Sequence, residues 1–404
     1  MAVQTIVVGD EAELSAALRA ASGETIIKLK AGIYDRFTID NINPTATVTI
    51  TSFDLANKTE IDTLFVKNSS NLIFQDLYFH HFEPRQIVTG PQVRVSNSHD
   101  IKFIRDEFAG NVDSVNTNDA SGIQVSDSTR ISILDNNFHD LMFASLALRS
   151  NYLVIAGNEV SKVREGMDFS DVDYVSIDRN QFSDFVPLTT GIRPDHPDGI
   201  QFWTSGSTGS TNVAITNNAF LFSDGLPIQG IFIRSEQGDV ARHSDFLIAN
   251  NVYHGQSRHG ITVYDADNVR ITENTVVSAP KTGTAIFYDP AINTENTRNV
   301  EIDHNVTTML LSSGGDIGRN VHDNIDVWDS KQKLGITQAE LFGSAPTADA
   351  LPDDFLVEAG SLADRIDAGF DHVDRIGNWA SDTSVWVDKY HAMLDTAGST
   401  YHIA

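Results

Sequence analysis

The 404-residue chain contains no cysteine. Disulfide bridges and thiolate metal sites are therefore excluded. No apolar run reaches the roughly 20 residues that a membrane-spanning helix needs. Positive charge is scarce: 28 Lys and Arg stand against 55 Asp and Glu, a formal net charge of −27. Nucleic acid and anionic membrane are poor partners for such a chain. An acidic ligand would need a local cluster of arginines or a bridging cation. The opening stretch, Met1 to Leu14, lacks the basic start and apolar segment of a secretory signal. Export would thus require a leader already removed or a C-terminal signal.

What the sequence does contain is a repeat. An apolar-x-x-Asn/Asp-x-apolar pattern recurs at Ile73-Asp76-Tyr78, Phe103-Asp106-Phe108, Ile133-Asn136-Phe138, Ile155-Asn158-Val160 and Ile177-Asn180-Phe182. It continues at Ile215-Asn218-Phe220, Ile248-Asn251-Tyr253 and Ile271-Asn274-Val276, and Ile302-Asn305 begins a ninth copy. Each copy alternates and is rich in Val, Ile and Phe, as strands are. The Asn or Asp falls where the strand must turn, and Asn in successive copies can bond one another as a ladder. The shortest spacing, 22 residues between Asn136 and Asn158, holds about three short strands and tight turns at about 3.3 Å per residue. Longer spacings carry loops. A leucine-rich repeat lacks its Leu spacing here, a propeller needs a longer uniform period, and a sandwich would not repeat one Asn position nine times.

These features predict an all-β fold, a single right-handed parallel β-helix over residues 1–330. Leu14, Ala17 and Leu18 at helical spacing predict a short N-terminal helix that closes one end. "ETIIKLKAGIYD" reads as the first coil strand. The repeat fades after Ser330, so 331–404, with a helix in "TQAELFGS", reads as an irregular C-terminal cap.

The capping helix, the "TIIKLKAGIYD" strand, the Asn-punctuated coils and "FLVEAGSLADRIDAG" resemble the pectate-lyase-like β-helix superfamily. The resemblance implies a protein that acts on or binds polysaccharides, commonly acidic ones, outside the cell. Members include polysaccharide lyases, polygalacturonase-type hydrolases, mannuronan C5-epimerases and tailspikes. The order Asp195-His196-Pro197-Asp198 differs from the epimerase Asp-Pro-His-acid motif, and epimerase roles are not carried over. "HPDG" at 196–199, "SDG" at 223–225, "RHG" at 258–260 and "VRI" at 269–271 partly echo the hydrolase series.

Strands preceding the Asn turn begin with glycine in "GIQVS", "GMDFS", "GIQFW", "GIFIR" and "GITVY". Strand alternation sends Ile123, Met167, Ile200, Ile231 and Ile261 inward. Gln124, Asp168, Gln201, Phe232 and Thr262 then point outward, followed by Ser126, Arg149, Ser170, Trp203, Arg234 and Tyr264. Just before the glycines stand Glu165, Asp198, Gln229 and His259, in register at about 4.8 Å per coil. Asp before Gly is also ordinary turn chemistry, and the Asn ladder is structural. His139, His243, His254 and His304 read as surface or turn residues.

Within this row, β-elimination assigns His259 as base, Tyr264 as acid and Arg234 as the group neutralising a uronate carboxylate. Trp203, Gln201, Phe232, Gln229, Arg149 and Arg258 are candidate substrate contacts. Arg149, Lys162, Arg164, Arg193, Arg234 and Arg258 supply the local positive charge that an acidic polysaccharide needs. Glu165, Asp168 and Asp198 are candidate Ca²⁺ ligands, or orient the histidine. No organic cofactor is implied. The reading is a secreted monomer, with a trimer as the tailspike-like variant. The rival reactions are hydrolysis by Asp198 with Glu165, Asp168 or Asp224, and glycan binding without turnover.

Overall fold

The computed structural model describes residues 3–80, 90–111, 119–188, 195–204, 206, 208–221, 228–280, 288–327 and 336–371. They divide into two compact units, one up to Arg164 and the other from Glu165. Each coil of a solenoid touches chiefly its neighbours, so the fold has no single centre. Each unit is a stretch of parallel β-helix.

In the second unit, a coil comprises three strands. The first set is Glu165–Ser170, Asp198–Trp203, Gln229–Ile233, His259–Tyr264 and Ala291–Glu295, each paired parallel to the next. The second includes Asp173–Asp178, Thr211–Thr216, His243–Ala249 and Ala266–Thr272. The third is short, as in Gln181–Ser183, Ala219–Leu221, Val252–Gly255 and Thr275–Ser278. The first unit repeats the scheme, for example in Ser121–Ser126, Thr129–Leu134 and Asn137–His139. Inward residues stack coil on coil: Phe79, Phe108 and Phe138 have ring centres 4.6 Å apart, and Phe169 and Phe202 4.7 Å. At this spacing the apolar rings stack in contact along the coil interior.

The predicted Asn ladder forms between the second and third strands. Side-chain Nδ2 donates to the next coil's Oδ1 at 2.9–3.0 Å from Asn136 to Asn158, and from Asn180 through Asn218, Asn251, Asn274 and Asn305 to Asn324. Asn324 thus extends the predicted series. The left-handed backbone belongs to the residue before each rung, as at Asp135, Asn217, Asn250 and Glu273. Asp76 is a correction. Register places Tyr78 opposite Glu107, so Leu77 occupies the rung and Asp76 the left-handed place. Its carboxylate receives Arg105 bidentately at 2.9 Å instead. A second ladder escaped the sequence reading. Ser69, Ser98, Ser128 and Ser150 each accept a backbone N–H from the preceding coil at 3.1–3.2 Å.

The helix at Glu11–Ala20 is capped by Asp10 and buries Leu14, Ala17 and Leu18, as expected. An unexpected strand, Gln4–Val8, precedes it and pairs with Thr25–Leu29. The tail differs more. Its described part, 336–371, lies along a flank rather than serving as a simple end cap. Leu341, Phe342, Phe355 and Phe370 pack onto Ala219, Leu221, Val252, Val277, Val306 and Ile325. Phe220 and Tyr253 alternate with these and are buried in the coil, so the tail covers the outward faces of the third strands. An apolar outer face on these strands, otherwise wet, is the reason.

Candidate active site

The first strands of the second unit align their outward side chains in columns. Register sets Asp168 opposite Gln201, Gln201 opposite Phe232, Phe232 opposite Thr262 and Thr262 opposite Asn293. Ser170 opposes Trp203, Arg234 donates its N–H to Phe202 O, and Tyr264 opposes Glu295. Asp198 opposes Gln229. Glu165 and His259 hold the equivalent places, two residues before Met167–Ile200 and Ile231–Ile261.

The glycines in this row serve close approach rather than unusual backbone. None of Gly166, Gly199, Gly230 and Gly260 has positive φ. A Cβ on Gly166 would lie 2.1 Å from Gly199 O, and one on Gly230 2.3 Å from Gly260 O. Neighbouring coils could not meet with a methyl group there.

The carboxylates are inner supports. Glu165 and Asp198 are 4% and 1% exposed, and Asp198 N–H donates to Glu165 Oε1 at 2.6 Å. One acid therefore holds the next strand in place. Asp168 stands in the next column, opposite Gln201, and is itself 7% exposed. Among the described residues, no three His, Asp or Glu side chains gather as a metal site. The expected Ca²⁺ set of Glu165, Asp168 and Asp198 does not fit one ion.

The titratable pair expected for proton transfer is brought together around Phe232. Its ring is edge-on to His259 at 5.3 Å and to Tyr264 at 5.8 Å. His259 Nδ1 lies 2.9 Å from Thr262 Oγ1, which fixes the ring orientation. Burial, then the charges of Arg258 and His196, lower the His259 pKa below its ordinary value. Tyr264 moves the other way: burial raises its pKa, against the opposing effect of Ser313. Asn293 Nδ2 donates to its Oη at 2.7 Å. At neutral pH the imidazole is thus a free base and the phenol holds its proton.

Around this pair stand half-buried Trp203, Gln201 and Gln229. Arg234 is exposed, with Glu236 no closer than 4.0 Å, and Arg258 Cζ lies 5.9 Å from the Tyr288 ring centre. Arg149 belongs to the first unit and is bound bidentately to Asp127 at 2.7 and 2.8 Å. Its half-exposed guanidinium is held by that ion pair. Arg193 and Asp224 lie outside the described residues. Thr262 and Asn293 were missed as partners of the acid–base pair. The column marks Thr262, but "AINTE" has no leading glycine to signal Asn293.

Other histidines also differ from expectation. His243 and His254 are buried rather than on the surface. His139 pairs with Asp140 and His304 with Asp303, both at 2.8 Å.

The family described as a right handed beta helix region matches residues 39–193 and 121–307. No curated protein sequence matches the chain. Among solved structures, the Dettilon tailspike protein gp208 is similar over 79% of this chain and 68% of its own, with 13% identity and a TM-score of 0.53. The A-module of the Azotobacter vinelandii mannuronan C-5 epimerase AlgE6 covers 79% of this chain and 86% of its own at 12% identity and a TM-score of 0.49. The family 28 exopolygalacturonase of Yersinia enterocolitica covers 81% and 78% at 9% identity, also with a TM-score of 0.49. Such identities speak to the fold alone. Among the described residues, no helix is long and apolar enough to cross a membrane.

Proposed function

The chain belongs to the right-handed β-helix family, and on that premise we propose that it is a secreted polysaccharide lyase that cleaves a uronate-containing chain by β-elimination. The observation that carries the reading is the opposed tuning of His259 and Tyr264 against one phenylalanine. Two titratable groups pushed apart in pKa are how one site holds a base and an acid at the same pH.

In this reading His259 Nε2 removes the C5 proton while Nδ1–H donates to Thr262 Oγ1. Arg234 and Arg258 pair with the uronate carboxylate, which stabilises the charge that develops as the proton leaves. The electron pair forms the C4–C5 double bond and expels the glycosidic oxygen. Tyr264 Oη protonates that oxygen, and Asn293 holds the phenol in place. Trp203 and Gln201 bind neighbouring sugar units. Glu165 and Asp198 brace the strands beneath. Among the described residues the acids do not gather around one ion, and in this reading the arginines neutralise the carboxylate.

The test is incubation with polygalacturonate, polymannuronate and polyguluronate, following ultraviolet absorbance and reducing ends together, with calcium and with chelator. A lyase raises both signals. Reducing ends alone indicate hydrolysis and overturn the reading. Binding without either signal indicates a glycan-binding protein. His259→Ala and Tyr264→Phe should each reduce turnover by about 10²–10⁴-fold, the ordinary worth of general acid–base catalysis.

A further inference from the structure

The first unit holds a second cleft, of about 290 Å³, outside the row just described. It is lined by Asp35, Arg36, Asp62, Phe65, Gln92 and Arg94, among others. They come from the consecutive parallel strands Ile33–Asp40, Glu60–Lys67 and Pro91–Ser96. Phe65 is on the middle strand. Arg36 Cζ lies 4.9 Å and Arg94 Cζ 5.9 Å from the centre of its ring. Both arginines are exposed.

These two arginines behave unlike most other arginines among the described residues. Arg105, Arg130, Arg149, Arg242, Arg270 and Arg319 each stand within ion-pair distance of an aspartate. Arg36 and Arg94 have no acidic partner within 4.0 Å among the described residues, although Asp35 and Asp62 line the same cleft. In a chain of net charge −27, these two cations stand beside carboxylates without pairing to a described one. A ring in contact with both guanidinium groups keeps them oriented at little entropic cost. Gln92, 1% exposed, donates Nε2–H to Ala109 O at 2.6 Å, while its Oε1 has no partner among the described residues.

We propose that this cleft is a binding subsite for an acidic sugar unit of a polysaccharide. It extends the proposed activity and rests on the reading that the ligand is an acidic glycan. Guanidinium groups bind the oxyanion, bidentately where geometry allows. Asp35, which is exposed, accepts hydroxyl hydrogens, and buried Asp62 adds negative charge to the lining. The mixture distinguishes a uronate from a dense polyanion such as a sulfated polymer, which the two carboxylates would repel. Arg36 and Arg94 stand two strands apart, roughly 10 Å along the coil stack at about 4.8 Å per strand. That reach suits an extended chain rather than a single small anion.

The experiment uses full-length protein and oligomers of polygalacturonate, polymannuronate and polyguluronate, with dextran and dextran sulfate as neutral and sulfated arms. Binding is measured by calorimetry, and turnover separately. The Arg36→Gln, Arg94→Gln double variant should bind its preferred carboxylated oligomer about tenfold or more weakly, since a hydrogen bond to a charged group carries that scale. KM should rise while kcat at saturation stays unchanged. Arg94→Lys, which keeps the charge and loses the fork, should fall between, and it carries the test if the double variant unfolds. Unchanged affinity, equal affinity for dextran sulfate, or no carboxylated oligomer bound by the natural protein overturns the subsite. Loss of binding in the double variant, with no turnover by any form, supports the subsite while the lyase reading fails.

Discussion

Replacing His254 with leucine should stabilise the protein, and more so in acid. His254 lies on the third strand of its coil, opposite Leu221 and Val277, and points outward under the tail. It is 1% exposed, and neither ring nitrogen has a hydrogen-bond partner among the described residues. Its ring centre lies 4.9 Å from that of Phe355. Burial lowers its pKa from 6.5 to about 4. Above pH 6.5 both the folded and unfolded states hold the ring neutral. As pH falls below 6.5 the unfolded state takes up the proton first, so stability is lost from there down to about 4. At about 1.4 kcal/mol per pKa unit the full loss is about 3 kcal/mol. Leucine removes that loss and also the cost of buried unsatisfied nitrogens, about 1–3 kcal/mol at any pH. Thermal unfolding at pH 7.5 and 4.5 reads both contributions. Hydrogen exchange within 336–371 locates them, because the tail covers this residue. An equal advantage for the variant at both pH values would refute the buried neutral histidine.

Four other outcomes follow from the same physics. Asp106 occupies an Asn rung, accepts Leu77 N–H at 2.8 Å and leaves Oδ2 unpartnered, and burial raises its pKa well above the ordinary carboxyl value. Asp106→Asn should therefore stabilise by about 1–3 kcal/mol, with the gain growing as pH rises above 3.8 toward the folded pKa, where ionisation costs the aspartate form most. Gly166→Ala should destabilise by about 1–3 kcal/mol or more, because its Cβ meets the Gly199 carbonyl at 2.1 Å; an unchanged melting temperature sinks the close-approach argument. If His259 is the base, kcat/KM rises with pH through a pKa below 6.5 and then levels, and falls again above 10 as Tyr264 ionises. Arg258→Gln should move the acid limb to higher pH, since that cation helps to lower the histidine pKa; an unmoved limb assigns it to another group.

The coil was legible in the sequence because its signal is repeated. An Asn in most turns and a Gly at the start of the strands near 166, 199, 230 and 260 survive loops of variable length, and they mark both the strand order and the row of Glu165, Asp198, Gln229 and His259. Register could slip by one without changing the pattern, and so Asp76 was placed on a rung that Leu77 fills. The serine ladder has the same logic but weaker spelling, since serine is common in any turn.

The sequence alone determined the architecture, the groove face and the residues along it, because alternation and stacking are local rules. Only the tertiary structure decided what each polar group does. Arg149 reads in the sequence as a free cation, and in the structure Asp127 pairs with it. Glu165 reads in the sequence as an acid or a metal ligand, and the structure adds that its Oε1 accepts the Asp198 N–H. The tail at 336–371 carries no repeat, and its place on the flank follows from outward apolar residues contributed by many coils at once. Partners tens of residues apart set charge state, burial and availability, and no local pattern in the chain records them.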